Sequence, residues 1–252
     1  MSVWAAVGDL ALPRACAGCG EPAVRWCTAC LEGLVGELGS GLVCGRLGGL
    51  PVWAAGDYAG RLRAAVAAYK DGERRDLRPL LSRVLLPALG RALAAPEVAG
   101  SVEGGPASER PGWPAPGRVP RVAVVPAPSR GPTLRSRGDD PVADLARAAV
   151  ARWHQEQPGV LDARGGADVG VVRALRTVGR VQDQSRLTRA GRRRNLSGHV
   201  AVRRGAFASE RPGAVVLVDD VITTGATIMA CRDALRREGL PLVAVVACAR
   251  VP

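Results

Sequence analysis

The chain has 252 residues, 47% of them apolar and 23% charged, with seven cysteines and a formal net charge of +12. That length holds one large domain or two smaller ones with an ample core. No apolar run reaches the roughly 18 residues of a membrane span, and the first twelve residues carry Asp9 without a leading basic cluster, which argues against a secretory signal; the expectation is a soluble, cytoplasmic protein.

Residues 1–50 read as a cysteine-rich module, since residues 13–50 contain five of the seven cysteines among many glycines. Cys16-Ala-Gly-Cys19 and Cys27-Thr-Ala-Cys30 are two C-x₂-C pairs separated by seven residues. Each pair can put both thiolates on one ion, and four thiolates complete a closed tetrahedral site that favours structural Zn²⁺. Disulfides are a poor alternative in a reducing compartment. Gly20 permits the knuckle turn, and the second pair opens a short helix over residues 31–38. Cys44 stands alone, while Cys231 and Cys248 fall on helix and strand faces as small hydrophobes.

Residues 51–93 form a helical connector. Leu62, Val66 and Tyr69, then Leu77, Leu80, Leu81, Leu85 and Leu89, recur at helical spacing, which predicts two helices broken near Asp71-Gly72. Residues 94–120, with six prolines and almost no periodicity, read as a linker or insertion loop. Residues 121–252 alternate as an α/β domain. Strands are predicted at 122–126, 169–175, 199–203, 214–219 and 242–248, and helices at 141–153 and 226–238. Continuous Val-rich strands between helices argue for a parallel sheet covered on both faces.

The charge is local. Residues 1–56 sum to −1, residues 57–120 to +3 and residues 121–252 to +10; residues 173–204 alone carry ten arginines against Asp183. Abundant Ala, Gly, Arg and Pro are typical of high-GC genomes, but a patch this concentrated implies an anionic partner or a solvated basic segment. Lys70 is the single lysine among 35 basic residues: a compact, titratable ammonium wanted at that place, or a chance survivor.

The segment Ala214-Val-Val-Leu-Val-Asp-Asp-Val-Ile-Thr-Thr-Gly-Ala-Thr227 carries the densest signal. A buried strand reaches two adjacent acids, Asp219 and Asp220, and then a turn of Thr223, Thr224, Gly225, Ala226 and Thr227 opens an amphipathic helix. This is the carboxyl end of a parallel strand, where open α/β sheets place ligands. Free amides, hydroxyls and the helix dipole at such a turn suit a phosphate monoester. The carboxylates suit the two hydroxyls of a ribose, or a hydrated Mg²⁺ attached to them.

This segment resembles the 5-phosphoribosyl 1-diphosphate (PRPP) motif of type I phosphoribosyltransferases. In that resemblance the turn after the first strand, with Pro128, Ser129 and Arg130, corresponds to the diphosphate loop, and Arg135 and Arg137 add positive charge beside it. Residues 181–196 correspond to the mobile loop that closes over the diphosphate, where Arg189, Arg192, Arg193 and Arg194 could neutralise the leaving group. The same arginines could track a nucleic-acid backbone or form a solvated basic helix. Enzymes for 6-oxopurines typically carry a further acid where this chain has Thr223, so purine salvage is disfavoured and no general acid or base is supplied there. Orotate-type enzymes tolerate Thr but use a loop lysine, which the C-terminal region lacks.

The double C-x₂-C module, a connector with Asp57-Tyr58 and Ala68-Tyr69-Lys70, the phosphoribosyl motif, and Arg135-Ser-Arg-Gly138, Gln184, Leu187 and Arg194-Asn195 together resemble the ComF family. The resemblance implies a zinc-binding N-terminal part and a type I phosphoribosyltransferase-like domain that binds PRPP, or another phosphoribosyl ligand, with Mg²⁺. For some bacteria it further implies a role in DNA uptake during competence. Single-stranded DNA, a component of the competence machinery and a second copy of the chain are then the candidate partners. Where many members have a further cysteine pair, this chain has Cys44 alone, and Asp139-Asp140-Pro141 replaces their aromatic-Asn-Gln.

Overall fold

The computed structural model describes residues 15–72, 74–98, 122–128, 140–156, 169–178, 199–207 and 211–252. Nearly all of the Pro-rich linker and the whole 181–196 arginine loop therefore lie outside the described residues, as do Ser129, Arg130, Arg135 and Arg137.

The chain begins with the cysteine knuckle and helix α1 (Thr28–Leu38), then strands β1 (Val43–Leu47) and β2 (Leu50–Asp57). Helix α2 (Gly60–Lys70) is separated from α3 (Arg78–Leu93) by a 3₁₀ turn over Arg75–Leu77. Strand β3 (Val122–Pro126), helix α4 (Pro141–Glu156) and the short strands β4 (Val169–Val171), β5 (Leu175–Thr177) and β6 (Val200–Val202) follow. Strand β7 (Ala214–Ile222), helix α5 (Ala226–Arg237) and β8 (Leu242–Arg250) complete the order.

These elements make an α/β fold around one mostly parallel six-stranded sheet in the order β1-β2-β8-β7-β3-β4, with β5 and β6 as a separate antiparallel pair. Only β1 runs antiparallel, as the outer arm of a hairpin with β2. The expected strand at 169–175 is two strands. Ala174 N–H donates to Val172 O at 2.8 Å, a three-residue turn that lifts β5 off the main sheet to pair with β6.

Strand alternation sorts the core onto two faces. Val122, Val124, Ala214, Val216, Val218, Ala244 and Val246 face α2, α3 and α4, against Leu62, Tyr69, Leu85, Leu89 and Leu145. Ala123, Val125, Val215, Leu217, Val245 and Ala247 face α5 and the β5–β6 pair, against Ile228, Cys231 and Leu235. Dozens of fully buried side chains, almost all Val, Leu and Ala, hold this layer sandwich together. At roughly 25 cal/mol per Å² of apolar surface, each buried Val or Leu contributes about 1.5–3 kcal/mol before conformational entropy is set against it.

Polar ties bind the N-terminal half to the rest. The buried Tyr69 hydroxyl donates to Pro141 O at 2.9 Å, and β2 lies parallel to β8 with Val52 opposite Val245. Residues 43–57 are thus strands of the same sheet that carries residues 214–250. No helix among the described residues is long and apolar enough to cross a membrane.

Candidate functional site

The sheet has a topological switch point between β3 and β7. Strand β3 continues through α4, on one face, to its neighbour β4; β7 continues through α5, on the other face, to its neighbour β8. The two connections diverge from adjacent carboxyl ends, and the crevice they leave is where such sheets bind ligands. The last β3–β7 partners are Pro126 and Val218, after which Ala127 N–H still donates to Val218 O at 2.7 Å. Beyond Val218, β7 keeps β8 on one side and has no β3 partner on the other.

Asp219 and Asp220 occupy that free margin. The strand does not end before them: Val221 and Ile222 still pair with Ala249 and Arg250. The acids therefore fall on opposite faces of β7. Asp220 lies on the α2 side, its side chain 4% exposed, and receives the ammonium of Lys70 at 2.9 Å from each carboxylate oxygen. It also accepts from Val221 N–H at 2.7 Å. Asp219, on the α5 side, accepts from Asp220 N–H at 2.9 Å. Burial and the Asp220 charge push the Asp219 carboxyl up to about 8, against the opposing pull of Lys70. At Lys70 partial burial disfavours the ammonium, but the Asp220 and Asp219 charges outweigh it and its pKa rises.

The turn of residues 223–227 follows directly. Thr223 and Thr224 are exposed, and Thr224 Oγ1 accepts from Ala226 N–H at 3.4 Å. Gly225 is the N-cap of α5 in the left-handed region, φ 73°. The first turn of α5 and its dipole are thus presented at the switch crevice. A Cβ on Gly225 would lie 2.4 Å from a Leu47 methyl, so the β1–β2 hairpin backs the turn. Asp219, Asp220, Thr223, Thr224, Gly225, Ala226 and Thr227 run along one chain segment from the end of β7 into α5, and Pro128 lies two residues past the end of β3. The partner supplied by Lys70 was not expected from sequence, where its being the one lysine was a signal.

The second site is the cysteine knuckle. The sulfurs of Cys16, Cys19, Cys27 and Cys30 all lie within 4.8 Å of one another. A tetrahedral ion about 2.3 Å from each sulfur would set them roughly 3.8 Å apart, so the four fit one metal ion. Burial opposes ionisation of Cys16, but the amides of Cys27, Gly18 and Cys19 bring its thiol down to about 6. Burial and the neighbouring thiols push Cys30 up to about 12. Gly20 takes the left-handed turn, φ 85°, and Cys27 caps α1. Arg74 ties the knuckle to the α2–α3 junction, donating to Ala15 O at 2.8 Å and Arg25 O at 3.3 Å while paired with Asp76. Cys44 lies apart on β1 and is exposed.

No family model matches the chain, and no curated protein matches it.

Proposed function

We propose that the crevice at the carboxyl ends of β3 and β7 binds PRPP or a closely related phosphoribosyl ligand together with Mg²⁺, in a domain of type I phosphoribosyltransferase-like fold. The observation that carries this reading is the acidic pair of Asp219 and Asp220 running without interruption into the hydroxyl-rich turn and the glycine-capped start of α5 at a switch point. In this reading the turn of Thr223, Thr224, Gly225, Ala226 and Thr227 receives the 5-phosphate, because its amides and the α5 dipole favour a dianion. The acidic pair serves the ribose side, with Asp219 accepting hydrogen bonds from the ribose hydroxyls. Mg²⁺ accompanies the diphosphate and offsets its charge. Residues 128–130 and the 181–196 arginines are the proposed diphosphate side.

The chain is, on the same reading, a ComF-like protein whose cysteine knuckle holds a structural zinc ion, since four thiolates in a closed set favour that metal. The metal would fix the knuckle against Arg74 and take no part in chemistry at the crevice. Thr223 itself offers no general base, so the acceptor is not defined and turnover is a separate question from binding.

Titration calorimetry with PRPP and Mg²⁺ tests the site. Micromolar binding by the wild-type chain and its loss in the Asp219→Ala/Asp220→Ala variant are expected. A folded double variant with unchanged affinity would remove the assignment.

A further inference from the structure

Lys70 is the last residue of α2 and the only lysine of the chain, yet it meets a residue 150 positions away. The pair it makes is asymmetric. The Asp220 side chain is 4% exposed and that of Lys70 48%, so the carboxylate is sealed and the lysine reaches it from the solvent side. Two ammonium hydrogens suffice for the two carboxylate oxygens, which leaves a third donor uncommitted. A buried carboxylate is costly in a sheet core, and an apolar residue would pack there at least as well. Stability alone therefore gives a weak reason for the pair.

Position gives a stronger one. Asp220 lies beyond the last β3 partner, at the open margin of the switch crevice, two residues before the end of β7. An anionic ligand drawn to the α5 start would meet the Asp220 carboxylate beside it, an unfavourable neighbourhood unless a cation stands there too. Among the described residues, Lys70 is the cation bonded to Asp220. A lysine whose ammonium is oriented by a carboxylate serves phosphoryl groups in other folds, the carboxylate fixing the charge while the free donor meets phosphate oxygen.

We propose that Lys70 is a ligand-binding residue of the crevice, its ammonium fixed by Asp220 so that it takes a phosphoryl oxygen of the anion bound there. Asp220 is then a positioning residue, and Asp219 is the acid left to meet ligand hydroxyls. The site is built by both halves of the chain, with α2 supplying the cation. This rests on the reading of the crevice as a phosphoribosyl site, but its ligand chemistry is only an accessible phosphoryl group, so inorganic diphosphate serves as an independent probe.

The single lysine makes the test direct. The wild-type chain is acylated with limiting acetic anhydride, with and without saturating inorganic diphosphate, or PRPP with Mg²⁺, and Lys70 acetylation is followed by mass spectrometry. Diphosphate and PRPP affinities are measured by calorimetry for the wild type, Lys70→Met and Lys70→Arg. Protection of Lys70 by ligand, a loss of about tenfold or more in the folded Met variant and substantial recovery in the Arg variant are expected. If Lys70→Met does not fold, protection in the wild type and the affinity of Lys70→Arg decide. PRPP binding with Lys70 unprotected, or with full affinity in Lys70→Met, overturns the lysine's role and leaves the site reading in place. Diphosphate that protects Lys70 while PRPP fails to bind overturns the site reading and keeps the lysine's role. A wild-type chain that binds neither overturns both.

Discussion

Leu47 on the outer strand of the hairpin fills the space where a side chain at Gly225 would begin: a Cβ there would sit 2.4 Å from one Leu47 methyl and 2.7 Å from the other. The phosphate turn is therefore fixed from behind by a residue 178 positions earlier, and Gly225 is required on two counts. Its φ of 73° is one that a side chain resists by about 1–2 kcal/mol, and the space is taken.

Gly225→Ala is accordingly expected to destabilise the chain by about 2 kcal/mol in urea unfolding and to weaken PRPP binding. Adding Leu47→Ala should recover the packing part in the turn and leave the backbone part, so ligand affinity returns only partly. Full recovery in the double variant would show that φ at 225 carries no cost.

The Lys70–Asp220 pair predicts an asymmetry in stability that is separate from its effect on ligands. Lys70→Met strands a carboxylate that is 4% exposed, and a buried charge that loses its partner costs about 3–5 kcal/mol at full burial. With the lysine half exposed, about 2 kcal/mol is expected. Asp220→Asn should cost less, because the amide keeps the Val221 N–H bond and the freed ammonium can turn to water. Urea titrations of both variants check the order, and equal losses would contradict it.

The parallel sheet was legible because its strands are continuous Val-rich runs, such as residues 122–126 and 214–219, and a strand buried on both faces needs such a run. The four cysteines were legible for a similar reason: metal geometry constrains spacing within a short stretch of chain. The β1–β2 hairpin was missed, although Gly48-Gly49 was its signal. Both glycines have positive φ, 57° and 87°, and Leu47 pairs with Leu50 across them, the two-residue turn that Gly-Gly predicts. The run from Leu50 to Asp57 passed unread because Pro51 lies in it and its partners on the inner side, Val245 to Arg250, come from the far end of the chain. Strand β7 was read as ending at its acids, whereas pairing with β8 carries it to Ile222. The contact of Lys70 with Asp220 depends on how α2 lies across the sheet, and nothing local to either residue encodes it.

Asp219 gives the stability curve a predictable slope. In the folded chain its carboxyl holds a proton up to about pH 8, whereas an unfolded aspartate releases it near pH 4. Between those values the native state binds more protons than the unfolded state, so this group lowers stability as pH rises. Asp219→Asn removes the penalty. The variant is expected to gain on the wild type steadily from pH 5 to pH 8 in chemical denaturation, and a constant difference across that range would show that the carboxyl is not raised.

The cysteine knuckle makes the most local prediction. A Cβ on Gly18 would lie 2.6 Å from Cys30 Sγ and 3.3 Å from the Trp26 ring, so Gly18→Ala presses directly on a sulfur of the four-cysteine set. Gly36, an exposed residue within α1, has nothing within 4 Å of its Cβ direction, and alanine there should stabilise the helix by about 0.5–1 kcal/mol. The two variants change the same atom in neighbouring parts of one module. Competition for zinc with a chromophoric chelator should show Gly18→Ala weakened about tenfold or more and Gly36→Ala unchanged, with Cys30→Ser losing the ion. Because Arg74 bonds the carbonyls of Ala15 and Arg25, stripping the metal should also loosen the α2–α3 junction, read as faster amide exchange at residues 74–77. Equal zinc affinity for Gly18→Ala and Gly36→Ala would mean that the ion does not sit among these four sulfurs as the geometry requires.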